Sequence, residues 1–251
     1  MEAPCPPSGS NIKLRELAME GNFTELQKLV FSYNLSSVIN NCGMGENGRT
    51  ALYFACMGGY RDCVELLLNA GANANAASYG GRTALIAACG KGHYNCVALL
   101  LERGASMNHA VVNEGFRPLH AACLGGHVQC VKLLLDHGAN IDCQTKQGFS
   151  PLYIASQNGN SECVQLLLDR DANVNTVTES GWTALHIAIQ NGHLDCVKLL
   201  LDKGDNESAA HESYSTLYVA MQSGQKLCAK EIESFYQDSW MCSPSRKVVD
   251  L

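Results

Sequence analysis

A block of about 33 residues recurs along this 251-residue chain, and no other feature constrains its fold as much. Aligned on Thr50-Ala-Leu-Tyr-Phe-Ala55, the same slot returns at Thr83-Ala-Leu-Ile-Ala-Ala88, Arg117-Pro-Leu-His-Ala-Ala122, Ser150-Pro-Leu-Tyr-Ile-Ala155, Thr183-Ala-Leu-His-Ile-Ala188 and Ser215-Thr-Leu-Tyr-Val-Ala220. The steps are 33, 34, 33, 33 and 32 residues. Such a chain is a stack of similar units, and its function belongs on an extended surface rather than in one catalytic pocket.

Each block follows one order: a Gly-rich turn, a short apolar helix, a Gly break, a second helix, and in most blocks Gly-Ala-Asn or a variant of it. The second helices read Asp62-Cys-Val-Glu-Leu-Leu-Leu68, Asn95-Cys-Val-Ala-Leu-Leu-Leu101, Gln129-Cys-Val-Lys-Leu-Leu-Leu135, Glu162-Cys-Val-Gln-Leu-Leu-Leu168 and Asp195-Cys-Val-Lys-Leu-Leu-Leu201. Their apolar positions form a broad stripe on two to three helical turns. A helix this short does not stand alone in water, so the stripe must be covered by a neighbour. Leu133 is expected in that core, with truncation to Ala costing roughly 2–5 kcal/mol. Gly71, Gly104, Gly138 and Gly204 follow the helices where a left-handed cap is wanted.

These motifs resemble the ankyrin-repeat family, whose unit is a β-turn plus two antiparallel helices with a Thr-Pro-Leu-His-x-Ala signature. The resemblance implies an all-α repeat solenoid of helix-turn-helix units joined by β-turn or hairpin loops. It divides the chain into a flexible N-terminus (1–10), capping helices and loop (11–46), five repeats (47–76, 80–109, 114–143, 147–176 and 180–209), a degenerate C-terminal capping repeat (213–236) and a flexible tail (237–251). The Cys-Val-x-Leu-Leu-Leu helices are similar to those of ankyrin proteins that carry a SOCS box, although 237–251 is too short and polar to supply one.

Charge adds exclusions. Eighteen basic residues against 24 acidic ones give a net −6, which argues against a nucleic-acid partner. No apolar run approaches the roughly 20 residues that span a bilayer, so no membrane insertion is expected. The first residues have neither the basic nor the apolar region of a signal peptide. Of the thirteen cysteines, Cys63, Cys96, Cys130, Cys163, Cys196 and Cys228 share one repeat position, and Cys56, Cys89 and Cys123 another. These are places for small apolar side chains, so the thiols are expected buried and free, in a reducing intracellular compartment, the cytoplasm or nucleus. Cys5, Cys42, Cys143 and Cys242 fall outside the pattern and are the candidates for reactive thiols. No metal-ligand spacing is present.

Nor does a catalytic arrangement emerge. His120 and His186 hold the fourth position of the signature, and His93, His127 and His193 follow the mid-repeat Gly. The resemblance implies structural roles, the first kind bonding near the turn and the second joining the two helices of a repeat. Tyr53, Ile86, Tyr153 and Tyr218 replace the signature His elsewhere, a variation no catalytic role tolerates. Gly58-Gly59 and Gly125-Gly126 lack the strand and the Gly-Lys-Ser/Thr of a phosphate loop. The expectation is no enzyme, no cofactor and no metal.

Variation concentrates where the family places its partner surface, the turn tips and the exposed side of the first helices, which together make a concave face. The residue after the turn Gly is Arg49, Arg82, Phe116, Phe149, Trp182 and Tyr214 in succession. Spaced roughly 10 Å apart like packed helices, these would form a row, cationic then aromatic, of the types enriched at binding hot spots. The competing reading is that each ring covers its own turn. A second stripe on the first helices includes Lys91, Leu124, Gln157, Asn158, Gln190 and Asn191. Its amides can pair with the backbone of an extended peptide, with acidic residues over Arg49 and Arg82.

Asn175 ends a Gly-Ala-Asn-x-Asn type hairpin, as do Asn75 and Asn108. Resemblance to hydroxylated family members makes Asn175 a candidate hydroxylation site, against a structural role capping its own turn. The reading is therefore a monomeric, non-enzymatic scaffold or adaptor that binds a partner protein or extended peptide. The alternative is a substrate-recruiting subunit of a ubiquitin ligase.

Overall fold

The period becomes fourteen helices among the described residues. The computed structural model describes residues 9–35, 38–41, 47–204 and 209–241, with the side chains of 209–215 and 238–241 outside that description. The helices are α1 (Ser10–Glu20), α2 (Phe23–Ser32), α3 (Ala51–Gly58), α4 (Arg61–Asn69), α5 (Ala84–Lys91), α6 (Tyr94–Glu102), α7 (Pro118–Leu124), α8 (Val128–Asp136), α9 (Pro151–Gln157), α10 (Ser161–Asp169), α11 (Ala184–Gln190), α12 (Leu194–Lys203), α13 (Ala209–Gln222) and α14 (Lys226–Met241). No strand appears among the described residues beyond a lone antiparallel bridge, Ala77 to Thr83. This is an all-α repeat solenoid class of fold.

The chain divides into two units, Met1–Gln147 and Gly148–Leu251. Within the first, the first helices pack in succession, α1 on α3, α3 on α5, α5 on α7, and the second helices do likewise, α2 on α4, α4 on α6, α6 on α8. Within the second, α9, α11 and α13 make one layer and α10, α12 and α14 the other.

The first helices start cleanly because their cap residues accept a backbone N–H that the helix leaves unpaired. Thr50 Oγ accepts from Tyr53 N at 3.2 Å, Ser150 Oγ from Tyr153 N at 3.1 Å and Thr183 Oγ from His186 N at 3.4 Å. Second helices bury Cys, Val and the middle leucine: Cys130 1 %, Val131 0 % and Leu134 0 % exposed. Those positions fall on one side at 100° per residue, whereas Leu133 is turned off it and is only half-buried. The expectation for Leu133 is thus corrected by one residue.

Gly71, Gly104 and Gly138 take left-handed φ values of 92°, 77° and 87° after their helices. Gly204 does not; at φ −62°, ψ 140° it is extended, correcting its assignment as a left-handed cap. In the repeat that lacks this glycine, Asp171 adopts φ 60° instead.

Polar side chains tie successive blocks together. Asn40 donates to Gly71 O at 3.2 Å and accepts from Asn73 N at 2.7 Å. Asn75 repeats the bridge one block later, to Gly104 O at 3.0 Å and from Ser106 N at 2.7 Å. Asn40, which follows the first two helices, thus makes the same bridge as Asn75 in a full repeat. The helix α14 runs past 236 to Met241, into the stretch read as tail; 242–251 lies outside the described residues.

Candidate partner-binding surface

Four of the residues after the turn glycines lie against the fourth residue beyond them. In the first unit, the Arg49 guanidinium lies 5.0 Å above the Tyr53 ring, and the Phe116 and His120 rings lie 5.4 Å apart. Arg82 faces an aliphatic Ile86 at that position and turns instead to Glu114, at 3.6 Å. In the second unit, Phe149 stacks on Tyr153 with centroids 4.8 Å apart and planes 4° apart, and Trp182 tilts over His186 at 6.0 Å. Phe116, Phe149 and Trp182 are all half-buried. Each ring thus covers a side chain of its own repeat and still offers an outer face. Offset ring pairs of this kind are worth about 0.5–1.5 kcal/mol. The side chain of Tyr214 lies outside the described residues.

On the first helices, Lys91, Leu124, Asn158, Gln190 and Asn191 are exposed and Gln157 is half-buried. Leu124, at 49 % exposure, is an apolar residue on an otherwise polar edge. Two amides are partly engaged by the fold: Asn158 donates to Ile154 O and Asn191 to Gln157 O, both at 2.8 Å.

The histidines are built into the scaffold. His120, fully buried, accepts the Arg117 N–H at Nδ1 (3.0 Å), so its Nε2 carries the proton and donates to Cys143 O (3.0 Å). His186 Nδ1 accepts from Thr183 N at 3.1 Å. The other kind joins neighbouring repeats rather than the two helices of one repeat, a correction to the expected role. His93 Nε2 meets Met57 O at 3.1 Å, His127 meets Gly90 O at 3.2 Å and His193 meets Gln157 O at 3.1 Å. Those rings pack so closely that a Cβ on Gly59 would sit 2.5 Å from His93 and one on Gly92 2.4 Å from His127.

Ten described cysteines are free and buried. Burial pushes the Cys96, Cys130 and Cys196 thiols up to about 11, and the Cys56 and Cys89 thiols well above their ordinary value. Cys143, expected as a reactive thiol, is 4 % exposed. Burial raises its pKa despite the Arg117 guanidinium beside it. It is a structural thiol. Cys5, Cys42 and Cys242 lie outside the described residues. Among the described residues no cluster of His, Cys, Asp or Glu could hold a metal ion, and no helix is long and apolar enough to cross a membrane.

Asn175 is exposed, and its backbone N–H is capped by Asn173 Oδ1 at 3.0 Å. The capping side chain is therefore the first Asn of each hairpin, as with Asn73 on Asn75 N (2.9 Å) and Asn140 on Asp142 N (3.1 Å). Sequence reasoning missed Arg15, a buried guanidinium on α1. The signal available was its place in the signature's fourth position, visible by counting back from Gly21.

A family profile described as "Ankyrin repeats (3 copies)" matches residues 14–111 and 106–178, and one described as "Ankyrin repeats (many copies)" matches 162–201. The ankyrin repeat domain of human ASB11 is similar in structure, with a TM-score of 0.69 and 33 % identity, covering 77 % of this chain and 84 % of that one. Cortactin-binding protein 2 of Oryctolagus cuniculus is 42 % identical over 74 residues and that of Mus musculus 40 % identical over 74, in each case 30 % of this chain. The chain spans only about 4 % of the length of those relatives. With the first profile alone covering more than half of its residues, this chain belongs to the ankyrin-repeat family.

Proposed function

We propose that the chain is a non-enzymatic interaction module, a scaffold or adaptor, that binds a partner protein or extended peptide on the side formed by its hairpin tips and first helices. The ankyrin fold is generally such a module, and a repeat surface varies its contact residues without disturbing its core. One observation carries the reading. The variable residue after the turn glycine is braced by the side chain four positions on in four repeats, which fixes it before any partner arrives. Preorganised aromatic and Arg side chains give up little entropy on binding.

The test is capture from cell lysate by wild type and by a Phe149→Ala/Trp182→Ala variant of unchanged helix content. The reading expects a partner recovered by wild type and lost from the variant. Equal recovery by both would move binding away from the second unit's rings.

A second reading, substrate recruitment to a ubiquitin ligase, is favoured by the Cys-Val-x-Leu-Leu-Leu second helices. It expects elongin or cullin components among the captured proteins, and their absence counts against it.

A further inference from the structure

Among the fourth-position side chains of the first unit, the polar ones have partners except Arg15. Tyr53, Ile86 and His120 each stand six residues before the helix-ending glycine of their repeat, at Gly59, Gly92 and Gly126. Arg15 stands six before Gly21, so it holds the same position on α1. Tyr53 receives Arg49, and His120 bonds Arg117 N and Cys143 O. Arg15 is 8 % exposed, and its Nε and Nη1 are sealed from solvent with no hydrogen-bond partner. A guanidinium stays charged at any ordinary pH, and burying one without an anion is costly.

Its neighbourhood repeats the theme. The next first helix, α3, packs on α1, and Arg49 just ahead of it also has a buried Nε without a partner. The Tyr53 ring fixes the plane of Arg49 without neutralising its charge. Arg82 pairs with Glu114 across 3.6 Å with both side chains about half exposed, a contact easily exchanged. Across residues 10–20, 47–58, 76–91, 109–124 and 143–147 the cations are Lys13, Arg15, Arg49, Arg82, Lys91, Arg117 and Lys146, against three carboxylates, Glu16, Glu20 and Glu114. The second helices of the unit, by contrast, hold five carboxylates, Glu25, Asp62, Glu65, Glu102 and Asp136, against three cations, Lys28, Arg61 and Lys132. In a chain of net −6, a cationic side is a feature of placement, not of composition.

We infer that the first unit's hairpin and first-helix side takes an acidic segment of a partner protein, with Arg49, just ahead of α3, and Arg15, on the α1 that packs against α3, as its carboxylate-receiving side chains. The inference rests on the reading of that side as the binding face, and it adds the partner's chemistry. A carboxylate accepts two parallel N–H bonds from a guanidinium, which suits a planar donor held in one orientation.

The test measures binding of a labelled peptide of alternating Glu and Ser by fluorescence anisotropy, beside the same peptide with Gln for Glu. Wild type is expected to bind the Glu peptide and not the Gln peptide. Arg15→Met and Arg49→Met should each weaken binding about tenfold, the worth of one charged hydrogen bond, while Arg61→Met on the second-helix side should not. The Arg15→Met thermal midpoint should be unchanged or higher, because an unpaired buried charge is replaced by an apolar side chain. Binding of the Glu peptide by Arg15→Met equal to wild type, or a midpoint that falls by many degrees, would overturn the site. So would displacement of the peptide by sulfate at constant ionic strength, which would mark a small-oxyanion site. Failure of the Glu peptide to bind wild type removes the acidic class but not the binding face, which the Phe149→Ala/Trp182→Ala capture tests separately.

Discussion

In the first unit the braced residues are Arg49 on Tyr53 and Phe116 on His120; in the second they are Phe149 on Tyr153 and Trp182 on His186. The cores beneath them differ less. Leu67, Leu100 and Leu134 in one unit and Leu167 in the other are all fully buried, and the same histidine-to-carbonyl bond appears in both. One position of the first helices does change, from Cys56, Cys89 and Cys123 to Ser156 and Ile189, and all five are fully buried. The comparison separates two kinds of repeat position. The buried second-helix Cys, Val and Leu keep their size and polarity, whereas the residues beside the turn change charge and ring content.

If the cores are equivalent, their disruption should be too. Leu134→Ala and Leu167→Ala should each cost about 2–5 kcal/mol in urea denaturation. Leu133→Ala, half-buried, should cost clearly less, about 1–2 kcal/mol. A Leu133 penalty equal to that of Leu134 would mean that the helix faces are wrongly placed.

Alkaline pH should distinguish the units. A thiol whose folded pKa is raised stabilises the fold below its unfolded value, near 9, and that contribution is lost as pH rises toward the folded value. Cys96, Cys130 and Cys196 reach about 11, so stability should fall between about pH 9 and pH 11. The first unit holds seven of the ten described thiols, so its amide protection should decline first. A flat stability profile over that range would contradict the buried assignment.

The inter-repeat histidines predict a smaller, matched effect. His93→Ala and His193→Ala each remove a bond to the preceding repeat, and each should cost about 1–2 kcal/mol. A large difference between them would show that the two units couple their repeats differently. Smallest is Asp171→Gly. It replaces the one described helix-end residue forced to φ 60° where other repeats use glycine, and should stabilise by about 0.5–1 kcal/mol in thermal denaturation.

Much of this is legible in the sequence. The period and the Cys-Val-x-Leu-Leu-Leu helices define the repeat because packing requires the same side chains at each step. Leu133 was misplaced by one residue because three consecutive leucines carry no mark of which one faces inward. The histidine bridges run between repeats and not within one, which the sequence pattern does not reveal because it does not say which carbonyl a ring will meet. Gly204 keeps the consensus residue but not the consensus backbone. Arg15 was missed because a basic residue in a divergent first helix looks like solvent exposure, and only burial without a partner makes it informative.

Hydrogen–deuterium exchange of the protein alone and with its captured partner tests the central claim most directly. The account predicts slower exchange on binding at the hairpin and turn amides around 78–82, 112–117 and 178–182, with the second helices α4, α6, α8, α10 and α12 unchanged. Protection gained mainly on those second helices would contradict it.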